Sequence, residues 1–428
     1  MKVLSLISLF SGIGAFEQAL YRMGIPYELV AYCEIDKYAS RSYSAIHDVS
    51  ESMNLGDITK VDEAALPKDI SLLTYGFPCQ DISLAGKQKG LFNEDGTQTR
   101  SGLFFEALRI IEATKPRVAI AENVKNLTSK KFKEQFKIVL DSLESSGYNN
   151  YWQVLNAKDY GIPQNRERVF IVSIRKDIDT GCFRFPAGFQ LELRLKDVLE
   201  LEVEEKYYVS EKSIPYVCAT GTKNFHYEPE IDLDVARPLT STMHKSHRAS
   251  QDNYVSDSFL KNGVKVSIKD GKPFIKIREN TKQGYAEACE GDSVNFEQPN
   301  SKTRRGRVGH GVAQTLTTSP QQGVVTVSYT RKHPPKENDI SACLQSCYAK
   351  VFSNHNPYSA VIEQTDETLK IRKLTPKECF RLMDFDDADF EKASAVNSNT
   401  QLYKQAGNSI VVAVAYYIEK ALIEAGVL

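Results

Sequence analysis

Residues 3–16 read VLSLISLFSGIGAF, an apolar run that leads directly into a glycine turn. The run has the length of a buried strand and is too short to cross a membrane. After the turn, apolar residues recur at helical spacing as far as Met23, and Gly24 and Pro26 then end the helix. A second apolar segment, 27–33, has the pattern of another strand. This β-turn-α-β unit predicts an α/β fold built on a parallel sheet.

The glycine turn and the acidic residue after the second strand predict a site for an adenosine-containing ligand. Gly12 and Gly14 allow a tight turn and a close approach of the backbone to a ligand. Glu34 lies 20 residues after Gly14, where a carboxylate can accept hydrogen bonds from ribose hydroxyls. Glu17 stands where a dinucleotide fingerprint would have its third glycine, and we expect its carboxylate to repel a pyrophosphate. S-adenosylmethionine, which has no phosphate, would be tolerated.

The composition is that of an ordinary globular protein. With 428 residues the chain suits two or three domains, and its 41% hydrophobic and 25% charged residues are typical values. The net charge of −1 means that any nucleic-acid contact must come from local basic patches. The eight cysteines include no CxxC pair and no zinc-ligand spacing. We therefore expect no metal site, no membrane-spanning segment and a reducing, cytoplasmic compartment.

Three kinds of reactive side chain follow apolar strands later in the first half. Cys79 follows one strand, Glu122 follows another, and Arg166 and Arg168 lie in a predicted β-hairpin, where a spacing of two gives them a common face. A cysteine taken alone is more often a packing residue. Together, a thiolate, a glutamic acid that can protonate a ring nitrogen and an arginine that can hold a carbonyl oxygen suit one reaction. That reaction is addition of the thiolate to C6 of cytosine, followed by methylation of C5.

Two polar stretches border these candidates. Residues 54–58 end in Asp57 and Ile58, an acid and an apolar residue that suit hydrogen bonding to, and packing against, an adenine ring. Residues 81–100 are polar and contain glycine, which predicts a long loop. Beside a candidate nucleophile such a loop is either a lid or a plain surface loop.

Six motifs along the chain resemble those of the C5-cytosine DNA methyltransferase family, and they occur in that family's usual order. They are FSGIGAF at 10–16, GFPCQDIS at 76–83, ENV at 122–124, QNRER at 164–168, RKLTPKEC at 372–379 and YKQAGNS at 403–409. The resemblance covers roughly residues 1–180 and 368–428.

The resemblance implies a Rossmann-like, doubly wound mixed sheet, the S-adenosylmethionine-dependent methyltransferase fold. It implies that Cys79 is the nucleophile, that Glu122 meets N3 of the base, and that Arg168, with Arg166 beside it, contacts the base. The cofactor would be S-adenosylmethionine, and the product S-adenosylhomocysteine. The positions that match the family's cofactor-binding residues are Phe10, Gly12, Gly14, Glu34, Asp57, Ile58, Pro78, Leu103, Asn408 and Ser409.

The second half loses the alternation of strands and helices. We predict a catalytic domain over 1–185, a smaller, irregular and mostly β target-recognition domain over 186–395, and a C-terminal helix within 396–428 that returns to the catalytic domain. A basic run at 301–307 and a Thr-Leu element at 313–319 are the candidates for reading DNA, although a basic run is ordinarily a solvated face. The predicted DNA-binding residues are Ser83, Arg304, Arg305, Arg307, Thr315, Leu316 and Gln321.

The leading interpretation is a monomeric, sequence-specific DNA (cytosine-5)-methyltransferase that flips cytosine out of duplex DNA. We expect it to be the modification arm of a restriction-modification system with a cognate endonuclease. Residues 280–325 resemble the recognition regions of enzymes with short GC-rich sites such as GCNGC. The alternatives are an RNA-directed C5-cytosine methyltransferase, a catalytically silent DNA-binding module and a nicotinamide-dependent oxidoreductase. The missing third glycine opposes the last of these.

Overall fold

A computed structural model of the chain has two compact units. The first comprises Met1–Arg194, Val235–Lys245 and Pro376–Leu428, and the second comprises Leu195–Asp234 and Ser246–Thr375. The residues that the structure describes are 3–79, 81–82, 89–93, 95–200, 202–209, 221–222, 225–226, 230–245, 249–256, 266–269, 272–289, 292–295, 308–310, 322–324 and 371–428.

The first unit is built on a six-stranded mixed sheet. Its strands are β1 (Leu4–Leu9), β2 (Tyr27–Cys33), β3 (Leu72–Tyr75), β4 (Val118–Val124), β5 (Tyr148–Asn156) and β6 (Glu167–Arg175). Their order across the sheet is β2-β1-β3-β4-β6-β5. The first four pair in parallel, whereas β6 runs antiparallel to β4 and β5. β1, β3 and β4 are mostly apolar in sequence, and most of their residues are buried. The predicted α/β class with a mixed sheet is confirmed.

The strand order creates a crevice beside β1. Since β1 lies between β2 and β3, the chain first crosses to one side of β1 and later to the other. Open α/β sheets bind ligands at such a reversal, outside the carboxyl ends of the strands. Residues 10–14 leave β1 at this edge, and residues 76–79 leave β3 at the same edge.

Eight α-helices accompany this sheet in the described part of the first unit. They are α1 (Ala15–Arg22), α2 (Lys37–His47), α3 (Phe104–Thr114), α4 (Lys133–Ser145), α5 (Pro376–Leu382), α6 (Asp387–Val396), α7 (Asn399–Asn408) and α8 (Val412–Glu424). Helix α1 packs against α8, and α2 packs against α6. The C-terminal helices therefore pack on the first two helices of the chain.

Residues 376–395, which the sequence assigned to the second domain, belong to the first unit. Gln18 Nε2 donates to Asp389 Oδ2 at 2.9 Å, and Arg22 Nη1 contacts Asp384 Oδ2 at 2.6 Å. Both contacts join this segment to α1. Local periodicity does not reveal them because the partners are 371 and 362 residues apart in the sequence.

The sequence predicted one C-terminal helix within 396–428, and the structure has two helices there. In the described chain, one helical stretch, Asn399–Glu424, is long and apolar enough to cross a membrane, and 61% of its most apolar window is buried in the protein. The stretch consists of two helices, since α7 ends at Asn408 and α8 begins at Val412. A buried core helix passes the same test of length and composition, so the stretch is weak support for a membrane span.

The second unit, where it is described, consists of short strands and 3₁₀ turns. Its strands are β7 (Gly221–Thr222), β8 (Phe225–His226), β9 (Tyr254–Ser256), β10 (Val266–Lys269), β11 (Lys272–Arg278), β12 (Tyr285–Cys289), β13 (Ser293–Asn295), β14 (Val308–Gly309), β15 (Gln322–Val324) and β16 (Ile371–Lys373). They form two three-stranded sheets, β10-β11-β12 and β14-β13-β15, and two pairs, β7-β8 and β16-β9.

The turn between β1 and α1 depends on positive φ angles. Phe10, Gly12 and Gly14 have φ values of 52°, 58° and 80°. The two glycines differ in their surroundings: a Cβ on Gly14 would overlap the ring of His47, whereas a Cβ on Gly12 would meet nothing within 4 Å. Glycine is therefore required at 12 for backbone conformation alone, and at 14 for both conformation and space.

Two glutamates lie in the core where α1 meets α8. Glu17 is 1% exposed, and Tyr43 donates its hydroxyl to Glu17 Oε1 at 2.8 Å. The prediction that Glu17 would repel a pyrophosphate is wrong, because its carboxylate is committed to the core. Glu419 is fully buried, and neither carboxylate oxygen has a hydrogen-bond partner. Burial, with the charge of Glu17 as a smaller cause, raises the pKa of Glu419 well above its ordinary value.

The raised pKa of Glu419 predicts a pH-dependent cost to folding. Below the pKa of the unfolded chain, roughly 4.3, Glu419 is protonated in both states and the cost is absent. As the pH rises toward the folded-state pKa, the unfolded state ionises first and the folded state loses stability. We expect Glu419→Gln to remove a decline of about 1 kcal/mol per pH unit, measured by urea unfolding between pH 5 and 8. The matched control is Glu424→Gln, on the exposed face of the same helix. Parallel pH profiles for wild type and Glu419→Gln would contradict the account.

The two glycines of the turn predict unequal alanine costs. Gly12→Ala should lose about 1 kcal/mol, the cost of a left-handed alanine. Gly14→Ala should lose a further 1–3 kcal/mol or so, because the methyl group must displace the His47 ring. Urea midpoints at neutral pH measure both, and equal losses would show that His47 does not restrict this position.

Candidate active site

The end of β2 is held against the glycine turn through Glu34. Its Oε2 accepts the backbone N–H of Gly12 at 2.9 Å, and its Oε1 accepts the N–H of Asp36 at 2.8 Å. Burial raises the pKa of Glu34, and these two amides and Lys404 act in the opposite direction. In a dinucleotide site the N–H of Gly12 would face a phosphate. Here it donates instead to the carboxylate of Glu34.

Asn54 fixes the neighbouring segments, and the sequence prediction missed it. Its Oδ1 accepts the N–H of Glu34 and of Gly56, each at 2.9 Å. Its Nδ2 donates to the carbonyl of Glu34 and to Ser40 Oγ, also at 2.9 Å. An asparagine whose side chain accepts from the N–H two residues on is a recognisable turn feature, but its long-range partners are not. Asn54 therefore joins the end of β2 to the segment that begins at Asp57.

The candidate adenine residues differ in exposure. Ile58 is 4% exposed, whereas Asp57 is half-buried and caps a 3₁₀ turn by accepting the N–H and hydroxyl of Thr59. These hydrogen bonds lower the pKa of Asp57. Leu103 is partly buried at the start of α3.

The candidate nucleophile lies where β3 ends, beside the ends of β4 and β6. Asn123 Nδ2 donates to the carbonyl of Phe77 at 3.0 Å, which fixes the segment that carries Pro78 and Cys79 to β4. Asn123 is 2% exposed, and this role also escaped the sequence prediction. Arg168 Nε lies 3.0 Å from Glu122 Oε1.

The charges of this cluster are coupled. Burial and the negative charge of Glu122 raise the pKa of Cys79, while Arg168 and Arg166 act against this rise. Burial likewise raises the pKa of Glu122, again opposed by Arg168 and Arg166. At neutral pH the resting thiol is therefore protonated, and the cluster can exchange a proton when a ligand changes its surroundings.

Arg166 has different hydrogen-bond partners from Arg168. Its Nη1 donates to Leu239 O at 2.9 Å, and its Nη2 donates to Gly407 O at 3.0 Å and Ser409 O at 2.7 Å. It is 3% exposed, and burial lowers its pKa to about 9. The two arginines were expected on one face of extended chain, but β6 begins only after Arg166, so strand alternation does not apply to it.

Asn408 and Ser409 lie at the end of α7, which is anchored to α2. Ser42 Oγ donates to Gln405 Oε1 at 2.9 Å, and Gln405 Nε2 donates to Tyr38 O at 3.0 Å. Lys404 and Asp36 form an ion pair beside them. The last motif is thereby attached to the helix that follows Glu34.

The predicted DNA-binding residues all lie outside the described residues: they are Ser83, Arg304, Arg305, Arg307, Thr315, Leu316 and Gln321. Among the residues that are described, no group of three His, Cys, Asp or Glu side chains could hold a metal ion.

Comparison with known proteins identifies the family of the chain. The model for the family described as C-5 cytosine-specific DNA methylase matches residues 4–424. The orphan methyltransferase M.SPRI of Bacillus phage SPR is 32% identical over 454 aligned residues, which cover 99% of this chain and 98% of that protein. The putative type II methyltransferase M.BsuMIIP of Bacillus subtilis strain 168 is 33% identical over 483 residues, with the same coverage.

Solved structures agree at the level of the fold. A mutant of Spodoptera frugiperda DNMT2 aligns with a TM-score of 0.57 and 18% identity, over 98% of this chain and 99% of that one. The Entamoeba histolytica methyltransferase EhMeth aligns with a TM-score of 0.59 and 15% identity, over 99% of both chains. At these identities the likeness concerns the fold alone. Since the family model spans nearly the whole sequence, the chain belongs to the C-5 cytosine-specific DNA methylase family.

Proposed function

We propose that the protein transfers a methyl group from S-adenosylmethionine to C5 of a cytosine flipped out of duplex DNA, through a covalent bond between Cys79 and C6. One observation carries the proposal: Cys79, Glu122 and Arg168 come together at neighbouring strand ends, beside the crevice at β1. This cluster has the nucleophile, the proton source and the cation that the reaction needs.

The first unit suits a cofactor without phosphate. The N–H of Gly12 is already donated to Glu34, so a pyrophosphate would meet a carboxylate instead of a free amide. Each oxygen of that carboxylate keeps a second acceptor position, which can take a ribose hydroxyl. Asp57 and Ile58 would meet the adenine ring, and Leu103, Pro78 and the residues of the last motif would complete the site. The bound cofactor supplies an electrophilic methyl group on a sulfonium.

The protein's own groups would activate the base. The Cys79 thiol loses its proton to solvent, its thiolate adds to C6, and the electron pair of the C5–C6 double bond moves into the ring toward N3. Glu122, whose raised pKa favours a protonated carboxyl, gives its proton to N3. Arg168, whose Nε lies 3.0 Å from Glu122 Oε1, orients that carboxyl and offers the remaining donors of its guanidinium to the base carbonyl. After C5 is methylated, N3 returns its proton to Glu122. A solvent base then removes the C5 proton, which expels the Cys79 thiolate and restores the ring.

Arg166 has a different proposed role from the one that the sequence suggested. Its guanidinium is bonded to three carbonyls and is buried, so it is not presented to a base. We propose that it positions the last motif through Ser409.

The family description supports DNA as substrate, and the names of relatives leave two cellular roles. They include a type II methyltransferase of Lactococcus lactis, 30% identical over 471 residues, and the orphan methyltransferase of Bacillus phage SPR. We propose a modification enzyme that acts in the cytoplasm, either beside a restriction endonuclease or without one.

A tritium-transfer assay tests the proposed chemistry. Purified protein, labelled S-adenosylmethionine and duplex DNA should give labelled DNA, and tRNA offered instead should stay unlabelled. Cys79→Ser should lower the rate by at least about 10³-fold, because a hydroxyl is a far weaker nucleophile. The matched control Cys182→Ser changes an exposed cysteine and should stay within about twofold of wild type. Undiminished labelling by Cys79→Ser, with normal binding of S-adenosylhomocysteine, would rule out the covalent role of Cys79.

A further inference from the structure

One arginine on α3 holds the segment that carries Asp57 and Ile58. Arg109 Nη2 donates to the carbonyl of Ile58 at 3.0 Å, and Nη1 donates to the carbonyl of Val61 at 2.9 Å. Both acceptors lie in a stretch with little regular structure of its own, since it contains only the 3₁₀ turns Ile58–Lys60 and Glu63–Ala65. The position of this stretch therefore depends on contacts from outside it.

Two carboxylates hold the guanidinium of Arg109 in place. Glu106, one turn earlier on α3, lies with Oε2 at 3.1 Å from Nε and 3.0 Å from Nη2. Glu63, in the second 3₁₀ turn, pairs with Nη1. The planar fork of arginine can serve two carbonyls and two carboxylates at once, which a lysine ammonium on its flexible stem cannot reproduce. Arg109 thus joins the segment to the helix at three points, the carbonyls of Ile58 and Val61 and the carboxylate of Glu63.

The same helix is connected to two parts of the proposed cofactor site. Leu103 directly precedes α3, and Arg109 lies in its middle. Through Arg109 the helix fixes the segment that begins at Ile58, a residue that is itself 4% exposed. A shift of this segment would move Ile58 relative to the helix that follows Leu103.

We propose that Arg109 is a positioning residue that sets the affinity for the adenosine half of the cofactor. It does so by holding the carbonyls of Ile58 and Val61 at a fixed place relative to α3. This role rests on the proposed function, because it takes Ile58 and its neighbours as the adenine site. Arg109 has no part in the proposed chemistry on the base, which uses Cys79 and Glu122.

The test compares Arg109→Lys with wild type in three measurements. Titration calorimetry gives the Kd for S-adenosylhomocysteine and for adenosine, and steady-state assays give kcat and the KM for DNA. We expect both Kd values to rise by the same factor, roughly 10- to 100-fold, for the loss of one or two charge-assisted hydrogen bonds. The value of kcat at saturating cofactor and the KM for DNA should stay within about threefold.

Two further variants separate positioning from general damage. Glu63→Gln keeps Arg109 but removes its partner on the segment, and should weaken both ligands in the same direction by a smaller factor. Arg175→Lys is the matched control, because Arg175 also binds two carboxylates and a carbonyl. It lies at the last residue of β6, at the opposite edge of the sheet from Arg168, and its change should leave both Kd values unaltered.

The outcomes are distinguishable. Unchanged binding by Arg109→Lys, weaker binding of S-adenosylhomocysteine without weaker binding of adenosine, or an equal rise in the KM for DNA would each overturn the role of Arg109 alone. If the wild-type protein bound no S-adenosylhomocysteine and transferred no methyl group, the proposed function would fail and this inference with it.

Discussion

β1 pairs in parallel with β2 on one side and with β3 on the other, and the candidate site depends on this pairing. Parallel strands end at the same edge of a sheet, so residues 10–14, Glu34, 76–79 and Glu122 all emerge together. β6 enters the sheet antiparallel, and its first residues, including Arg168, therefore arrive at that edge as well. The pairing register of β4 and β6 places Val124 opposite Arg168. Glu122 lies two residues before Val124 on β4, so this register sets which side chains meet.

The polar groups at this edge hold one another before any substrate arrives. The Gly12 amide is bonded to Glu34, and the guanidinium of Arg168 lies against Glu122. Such pairs fix geometry at little reorganisation cost, which favours catalysis. The same burial raises the pKa of Cys79 and keeps its thiol protonated in the resting state. Under the proposed function, activation of Cys79 would therefore await a ligand that alters the charges around Glu122.

The sequence predicted the parts of this site that depend on local pattern. Strand periodicity located the edge at which Cys79 and Glu122 meet, because a strand end can be recognised from its own residues. The prediction from sequence failed where a contact with a distant part of the chain determines the position of a side chain. Glu17 was expected to face the ligand, but Tyr43 holds it in the core, and Arg166 was assigned to the face of Arg168 although its carbonyl partners come from elsewhere in the chain. No local pattern encodes these partners, and the roles of the predicted cofactor and catalytic residues stay predictions.

The central claim is that Cys79 bonds covalently to the target base, and trapping that bond tests it most directly. Duplex DNA in which every cytosine carries fluorine at C5 is incubated with the protein and S-adenosylmethionine. Because fluorine cannot leave as a proton does, the adduct should persist through denaturation. Peptide mass spectrometry should then find the modified nucleotide on Cys79, and Cys79→Ser should give no adduct. An adduct on another cysteine such as Cys182, or none with wild-type protein that methylates ordinary DNA, would contradict the account.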